Sequence, residues 1–411
     1  MHGARRAAAV GRRAARTAPT RSSGGGPPQG LSALTRPALI AGGVAVAGAA
    51  VAVTGLSAVL ASMLVTPPRS PLDDIRILGL GDDTVRLGLT PDTVLPGTYA
   101  LWVGRRIAVL GAVVSQDADG VTRSIDAPAR ALLEGAATAR WSGYAIFEPE
   151  QVADAVEAVE VGTELGPAPA WIMGDQEATT WCVQVHGRGV TRHETLRAAP
   201  IYLQRGIPVL AASYRNDTEA PPSRHNRYRL GLDEWRDIDD AIGLAVARGA
   251  ERIVLHGWSM GGQIALQVAR RSRHRRRIAG VVLDSPVVGW RPTLLLQVAL
   301  VKMPAWLVDT AVGLLESPAA VLSGGRSLDF DELDNVLHAD ALSQPILLLH
   351  SADDGYVPPD ASRELAAARP DLVEYHEWRR ARHTKLWNLD RARYETEVGD
   401  WLDARGIGAF G

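Results

Sequence analysis

The chain of 411 residues has one cysteine, Cys182, two lysines, Lys302 and Lys385, and no acidic residue before Asp73. A single cysteine excludes a disulfide bond within the chain. Free cysteine in an apolar strand behaves as a small hydrophobic residue, so we predict a buried, unreactive thiol at Cys182.

The body of the chain also lacks the basic surface that nucleic-acid binding requires. Seven of the 44 basic residues are arginines in residues 1–66, which leaves 37 basic against 46 acidic residues in the remainder. No His and Cys cluster has the spacing of metal ligands, and no glycine–lysine loop of the phosphate-binding type is present. The sequence therefore predicts no nucleic-acid partner, no metal and no cofactor.

The N-terminal residues predict a tail and a membrane segment. Residues 1–37 are rich in Arg, Ala, Gly and Pro without apolar periodicity, which is typical of a disordered basic tail. Residues 38–66 carry no charge and are long enough to cross the roughly 30 Å hydrocarbon core as a transmembrane helix. The preceding arginines favour a cytoplasmic N-terminus at the cell membrane, with the remainder extracytoplasmic. Small residues near Ala61 leave a cleaved signal peptide as the alternative.

Two further regions follow. Residues 69–170 contain short apolar runs between turn signals, which predicts a small β-rich accessory segment, ending in a helical stretch near Gln151–Val159. Over residues 171–411, apolar strands alternate with helical patterns, which predicts an α/β fold with a mostly parallel central sheet flanked by helices. Residues 291–343 interrupt this alternation and predict a helical cap insertion, with an ordinary packed helical pair as the alternative.

The strongest motif follows a predicted strand and precedes a predicted helix, and it consists of Gly257, Trp258, Ser259, Met260 and Gly261. A Gly-x-Ser-x-Gly turn in that context is a nucleophile elbow, which holds the serine in a strained backbone with its oxygen exposed. The Met260 amide then points toward a developing oxyanion at the N-terminus of the helix.

A second oxyanion donor is expected from another turn. His186 and Gly187 follow the strand Thr180–Val185, so the amide of Gly187 or Arg188 could lie opposite that of Met260. We interpret His186 itself as a structural residue.

A general base and an acidic residue complete the predicted catalytic residues. His383 follows the last predicted strand and precedes the final helix, from where a loop can bring its imidazole over the serine. The acid should follow the strand that begins at Ile346, and Asp354 is the first candidate. Asp353 beside it and Asp284 after an earlier strand are the alternatives.

Together these motifs resemble the α/β-hydrolase superfamily over Trp171–Gly406, and in particular the Bem46-like proteins and the catalytic domains of prolyl-oligopeptidase-type peptidases. The resemblance implies the chain order Ser259, Asp354, His383. It implies hydrolysis of carboxylic esters through an acyl-enzyme, or of a peptide substrate as the alternative. An inactive binding or scaffold protein with this fold stays a further alternative.

Overall fold

The computed structural model describes residues 54–68, 73–323 and 326–408. The predicted basic tail, residues 1–37, lies outside these ranges, as does most of the predicted transmembrane segment, residues 38–66. The last part of that segment, residues 54–65, is helical and is called α1. Within the described ranges, no helix is both long and apolar enough to span a membrane. The membrane segment therefore stays a prediction.

The accessory segment contains an antiparallel sheet of seven strands in the order β4-β3-β7-β1-β2-β6-β5. Its strands are β1 (Ile75–Leu80), β2 (Thr84–Leu87), β3 (Tyr99–Val103), β4 (Arg106–Leu110), β5 (Val113–Gln116), β6 (Val121–Ser124) and β7 (Thr138–Ser142). Helix α2 (Ala127–Leu133) is capped by Asp126, which accepts a hydrogen bond from the Ala129 amide at 2.8 Å. Leu133 and Leu101 belong to one apolar core, which helix and sheet share.

The predicted helical stretch near Gln151–Val159 is wrong. Its second part, from Val156, begins the strand β8 (Val156–Thr163), the edge strand of a sheet. β8 pairs antiparallel with β9 (Gly166–Met173), and β9 pairs with the strands that follow. The sequence predicted that the catalytic domain begins at Trp171, but the second sheet begins earlier, with β8.

The second sheet has eight strands in the order β15-β14-β13-β12-β10-β11-β9-β8. Its remaining strands are β10 (Thr180–Val185), β11 (Val209–Ala212), β12 (Arg252–Trp258), β13 (Ile278–Asp284), β14 (Ile346–Ser351) and β15 (Val373–Trp378). These six strands pair parallel to one another. The carboxyl ends of β12, β14 and β15 therefore lie along one edge of the sheet, where loops can converge.

Helices cover both faces of this sheet. They are α3 (Ala199–Leu203), α4 (Glu234–Ala247), α5 (Met260–Arg271), α6 (Trp290–Leu300), α7 (Trp306–Glu316), α8 (Asp360–Ala368), α9 (Leu386–Leu389) and α10 (Arg391–Ala404). Alternate residues of β10 serve the two sides: Val183 packs in one core with Ile242 of α4, and Cys182 packs in the other with Tyr394 of α10. Because both faces of the inner strands are buried, strands such as β11 and β14 are mostly apolar. Burial also raises the pKa of the Cys182 thiol, as expected for an unreactive cysteine.

The predicted cap insertion, residues 291–343, contains α6 and α7, which are separated at Pro304. Its later part is bound firmly to α5: the Asn335 side chain donates to Gln263 Oε1 at 2.6 Å, and Gln263 Nε2 donates to the Leu333 carbonyl at 2.8 Å. The two helices thus lie on a segment that is anchored to the sheet.

Candidate active site

Ser259 lies in the turn between β12 and α5, with φ at 53° and ψ at −118°. This backbone conformation is strained for a residue with a side chain. The turn is possible because glycines stand two and three residues after the serine: a Cβ on Gly261 would clash with the carbonyl oxygens of Val185 and His186, and a Cβ on Gly262 would lie 2.7 Å from Pro286. The tight packing of the turn thus holds the Ser259 hydroxyl above the carboxyl ends of the strands.

The structure brings Ser259, His383 and Asp354 together in a row. His383 Nε2 lies 2.8 Å from Ser259 Oγ, and His383 Nδ1 lies 2.7 Å from Asp354 Oδ2. The side chain of Asp354 is fully buried, whereas that of His383 keeps 17 % of its surface exposed. His383 can therefore exchange a proton with Ser259 on one side while Asp354 holds the ring on the other.

Asp354 is held by four groups. Its Oδ1 accepts the amides of Tyr356 at 2.8 Å and Val357 at 2.9 Å, and its Oδ2 also lies 3.3 Å from His350 Nε2. Burial alone would raise the pKa of Asp354, but the charge of His383 and the hydrogen bonds from both histidines outweigh it and lower the pKa. The carboxylate therefore stays ionised beside His383.

The two alternative acids lie elsewhere. Asp353 is exposed and pairs with Arg382 at 3.3 Å. Asp284 is buried, its Oδ1 accepts a hydrogen bond from Ser285 Oγ at 2.9 Å, and burial raises the pKa of its carboxyl. Ser285 Oγ in turn accepts the Thr384 amide at 3.1 Å, so Asp284 supports the loop that carries His383.

The Gly187 amide is not available to an oxyanion, because it donates to Glu194 Oε2 at 2.9 Å. This corrects the prediction for Gly187 and leaves Arg188 as the second candidate donor. The Met260 amide is at the first position of α5, where a helix has no internal partner for it. A Cβ on Gly187 would lie 3.3 Å from Ser259 Cβ, so this turn does border the nucleophile.

His186 is fully buried and has the structural role that the sequence suggested. Its ring stacks on Tyr214 with the centroids 4.3 Å apart, and its Nε2 lies 3.1 Å from Asp217 Oδ2. The Tyr214 hydroxyl donates to the Gly187 carbonyl at 2.8 Å. These contacts fix the turn that precedes Arg188.

Trp258, the variable residue before the serine, is fully buried and stacks on His256 with a centroid distance of 3.9 Å. Its side chain is part of the hydrophobic core beneath the turn. Sequence reasoning missed Glu194 and Tyr356, which both border the site. No local pattern marks Glu194, whereas Tyr356 could have been noticed because it is two residues from Asp354.

Comparison with known proteins identifies the class of protein. Residues 183–403, more than half of the chain, match the alpha/beta hydrolase family. The chain belongs to this family, and the predicted superfamily and fold are confirmed. The Bem46-like subgroup stays a prediction. Residues 76–142, which hold the antiparallel sheet, match a family described as a domain of unknown function, DUF8805.

Solved structures similar to this chain include several esterases. An esterase from Pyrococcus furiosus is 19 % identical, with a TM-score of 0.49 over 62 % of this chain and 94 % of its own. An esterase from Rhodococcus sp. is 17 % identical, with a TM-score of 0.42 over 61 % of this chain and 99 % of its own. An esterase from the archaeon Pyrobaculum calidifontis is 16 % identical, with a TM-score of 0.45 over 62 % and 87 %. No curated protein matches the chain.

Proposed function

We propose that this chain is a serine hydrolase that cleaves carboxylic esters through an acyl-enzyme. The observation that carries the proposal is the row of hydrogen bonds from Asp354 through His383 to Ser259, at 2.7 and 2.8 Å. The nucleophile, base and acid of an acyl-transfer site are arranged in this order. Family membership is consistent with it, since the fold supports this chemistry.

In the first half of the reaction, Ser259 Oγ attacks the ester carbonyl carbon and its proton passes to His383 Nε2. The amides of Met260 and Arg188 would stabilise the negative charge that develops on the carbonyl oxygen. The C–O bond to the alcohol then breaks, and His383 returns the proton to the departing oxygen. The acyl group stays on Ser259.

In the second half, His383 takes a proton from water while the water oxygen attacks the acyl carbon. The bond to Ser259 Oγ breaks, the serine regains its proton from His383, and the carboxylic acid leaves. Asp354 stays ionised throughout and stabilises the protonated imidazole, because its lowered pKa keeps the carboxylate charged.

A fluorophosphonate probe tests this proposal on the full chain. We expect wild-type protein to be labelled on Ser259 and to hydrolyse short p-nitrophenyl esters. His383→Ala should lose both by roughly a thousandfold or more, because the hydroxyl then lacks its base. His376→Ala, which changes a histidine on β15 outside the row, is the matched control and should behave as wild type.

The outcomes separate the alternatives. Failure of the folded wild-type protein to react with the probe would refute the proposal and favour a binding or scaffold role. Labelling accompanied by cleavage of peptides, with no ester turnover, would replace the esterase with a peptidase.

We also propose that the uncharged residues before α1, within the predicted segment 38–66, attach the protein to the cell membrane. The support is the absence of charge in this run and the seven arginines in the residues that precede it. In fractionated cells, the full chain should remain with the membranes after alkaline carbonate extraction and be released by detergent. Recovery in the carbonate supernatant would contradict the proposal.

A further inference from the structure

Helix α1 lies outside the residues that match the hydrolase family, yet it is packed on that domain. Ala61 and Val65 are 1 % and 3 % exposed and share a core with residues of α6 and α7. The Tyr228 amide donates to the Val65 carbonyl at 2.7 Å. These contacts make the C-terminal end of α1 part of the domain.

The Arg188 side chain strengthens this attachment. Its Nε donates to the Leu64 carbonyl at 2.9 Å, and its Nη2 donates to the carbonyls of Met63 at 2.7 Å and Thr66 at 2.8 Å. A guanidinium at the C-terminus of a helix satisfies free carbonyls and interacts favourably with the helix dipole. The residue whose amide is a candidate oxyanion donor thus also holds α1 in place.

A cavity of about 250 Å³ lies between α1 and the helices α6 and α7. Most of its lining is apolar and comes from the three helices in turn: Leu60 and Leu64 of α1, Leu294 and Val298 of α6, and Val308 and Ala311 of α7. Its volume is below the roughly 300–1,000 Å³ of typical sites for drug-sized ligands, so it suits one slender chain.

The cavity borders the proposed active site. Tyr356, which lines the cavity, has its ring centroid 5.1 Å from that of His383. Arg188 lines it as well and directly follows Gly187, the residue beside Ser259. A chain attached to a carbonyl carbon at Ser259 therefore has the cavity next to it.

Besides the Tyr356 hydroxyl, the lining has two polar side chains, and both are already engaged. Arg188 donates to the carbonyls at the end of α1, and Gln297 Nε2 donates to the Tyr356 carbonyl at 2.8 Å. No other charged side chain belongs to the lining among the described residues. The cavity thus favours a hydrocarbon group over a polar one, because a polar ligand would lose its hydration without gaining partners.

We propose that this cavity binds the acyl chain of the substrate, and that α1 forms one of its walls. The proposal rests on the esterase function proposed above and narrows its substrate class to esters of medium or longer fatty acids. The proposal also gives a role to the contacts that hold α1, which precedes the hydrolase domain, against α6 and α7.

Filling the cavity tests the proposal. The measurement is kcat/KM of the full chain for acetyl, butyryl, octanoyl and lauroyl p-nitrophenyl esters. Wild-type protein should prefer octanoyl to acetyl. Leu60→Trp should lower the octanoyl value by on the order of tenfold or more and leave the acetyl value nearly unchanged, because only the longer chain enters the filled space.

Two variants complete the design. Val59→Trp changes the neighbouring position of α1, which is 54 % exposed, and should keep the wild-type preference. Ala311→Phe fills the cavity from α7 and should reproduce the effect of Leu60→Trp without altering α1.

The failures of the two proposals are distinguishable. If both filling variants retain the wild-type ratio of octanoyl to acetyl turnover, the acyl site is refuted and the esterase function stands. If wild-type protein neither reacts with a fluorophosphonate nor cleaves any of the esters, the proposed function itself fails. Loss of acetyl turnover in Leu60→Trp, with a normal ratio in Ala311→Phe, would also overturn the acyl site.

Discussion

Ser259→Ala is expected to lower ester turnover by a factor on the order of 10⁴ or more, because no other group takes over the attack on the carbonyl carbon. The substitution removes one oxygen atom and leaves the backbone of the turn unchanged, so the protein should remain folded. Steady-state kinetics with a short ester, together with circular dichroism, checks both statements. Ser115→Ala on the exposed strand β5 is the control and should retain full activity.

Ser259→Gly separates catalysis from strain at the same position. It should be as inactive as Ser259→Ala but more stable by about 1 kcal/mol, because glycine adopts the φ of 53° without steric conflict. The comparison is made by denaturant unfolding of the two variants. Equal or lower stability of the glycine variant would contradict the argument that the turn stores strain for the sake of the serine.

Asp354→Asn is expected to lower kcat by roughly 10⁴-fold with little change in the fold. In the wild-type protein, the Asp354 carboxylate accepts a hydrogen bond from His383 Nδ1 at 2.7 Å. An amide in its place could turn its NH₂ group toward the ring and hold the imidazole in the tautomer that cannot accept the serine proton. It would also remove the charge that stabilises the protonated ring. Steady-state kinetics over a range of pH measures the effect.

The two alternative acids are the matched controls. Asp353→Asn should behave as wild type, because Asp353 is exposed and pairs with Arg382. Asp284→Asn should have a smaller effect than Asp354→Asn, since Asp284 reaches the His383 loop only through Ser285. A loss in Asp284→Asn as large as that in Asp354→Asn, in a folded protein, would contradict the assignment of Asp354.

Some of the accessory segment could be predicted and some could not. The strands Thr84–Leu87 and Tyr99–Val103 fall within the short apolar runs that predicted a β-rich segment over residues 69–170. The stretch near Gln151–Val159 was interpreted as helical because a short apolar stretch fits both periods. Only the pairing of Val156–Thr163 with β9 made its second part a strand. Long-range pairing overrides local preference in this way wherever the local signal is weak.

The site shows the same division. The sequence indicated Ser259 and His383 because a strand–turn–helix motif and a late histidine loop are local features. It left the acid open among Asp354, Asp353 and Asp284, since all three lie at or just after the ends of parallel strands at the same edge of the sheet. Only the fold shows which carboxylate faces His383 Nδ1.

What the sequence by itself determined was the α/β-hydrolase fold, because alternating buried strands and amphipathic helices admit few arrangements. It also indicated Ser259 as the candidate nucleophile, since glycines stand two residues before and two residues after it in the motif. The tertiary structure decided what depends on contacts between distant segments. These are the hydrogen bond from the Gly187 amide to Glu194, which removes that amide as an oxyanion donor, and the packing of α1 against α6 and α7. No local pattern can encode such contacts, because each depends on two parts of the chain that meet only after folding.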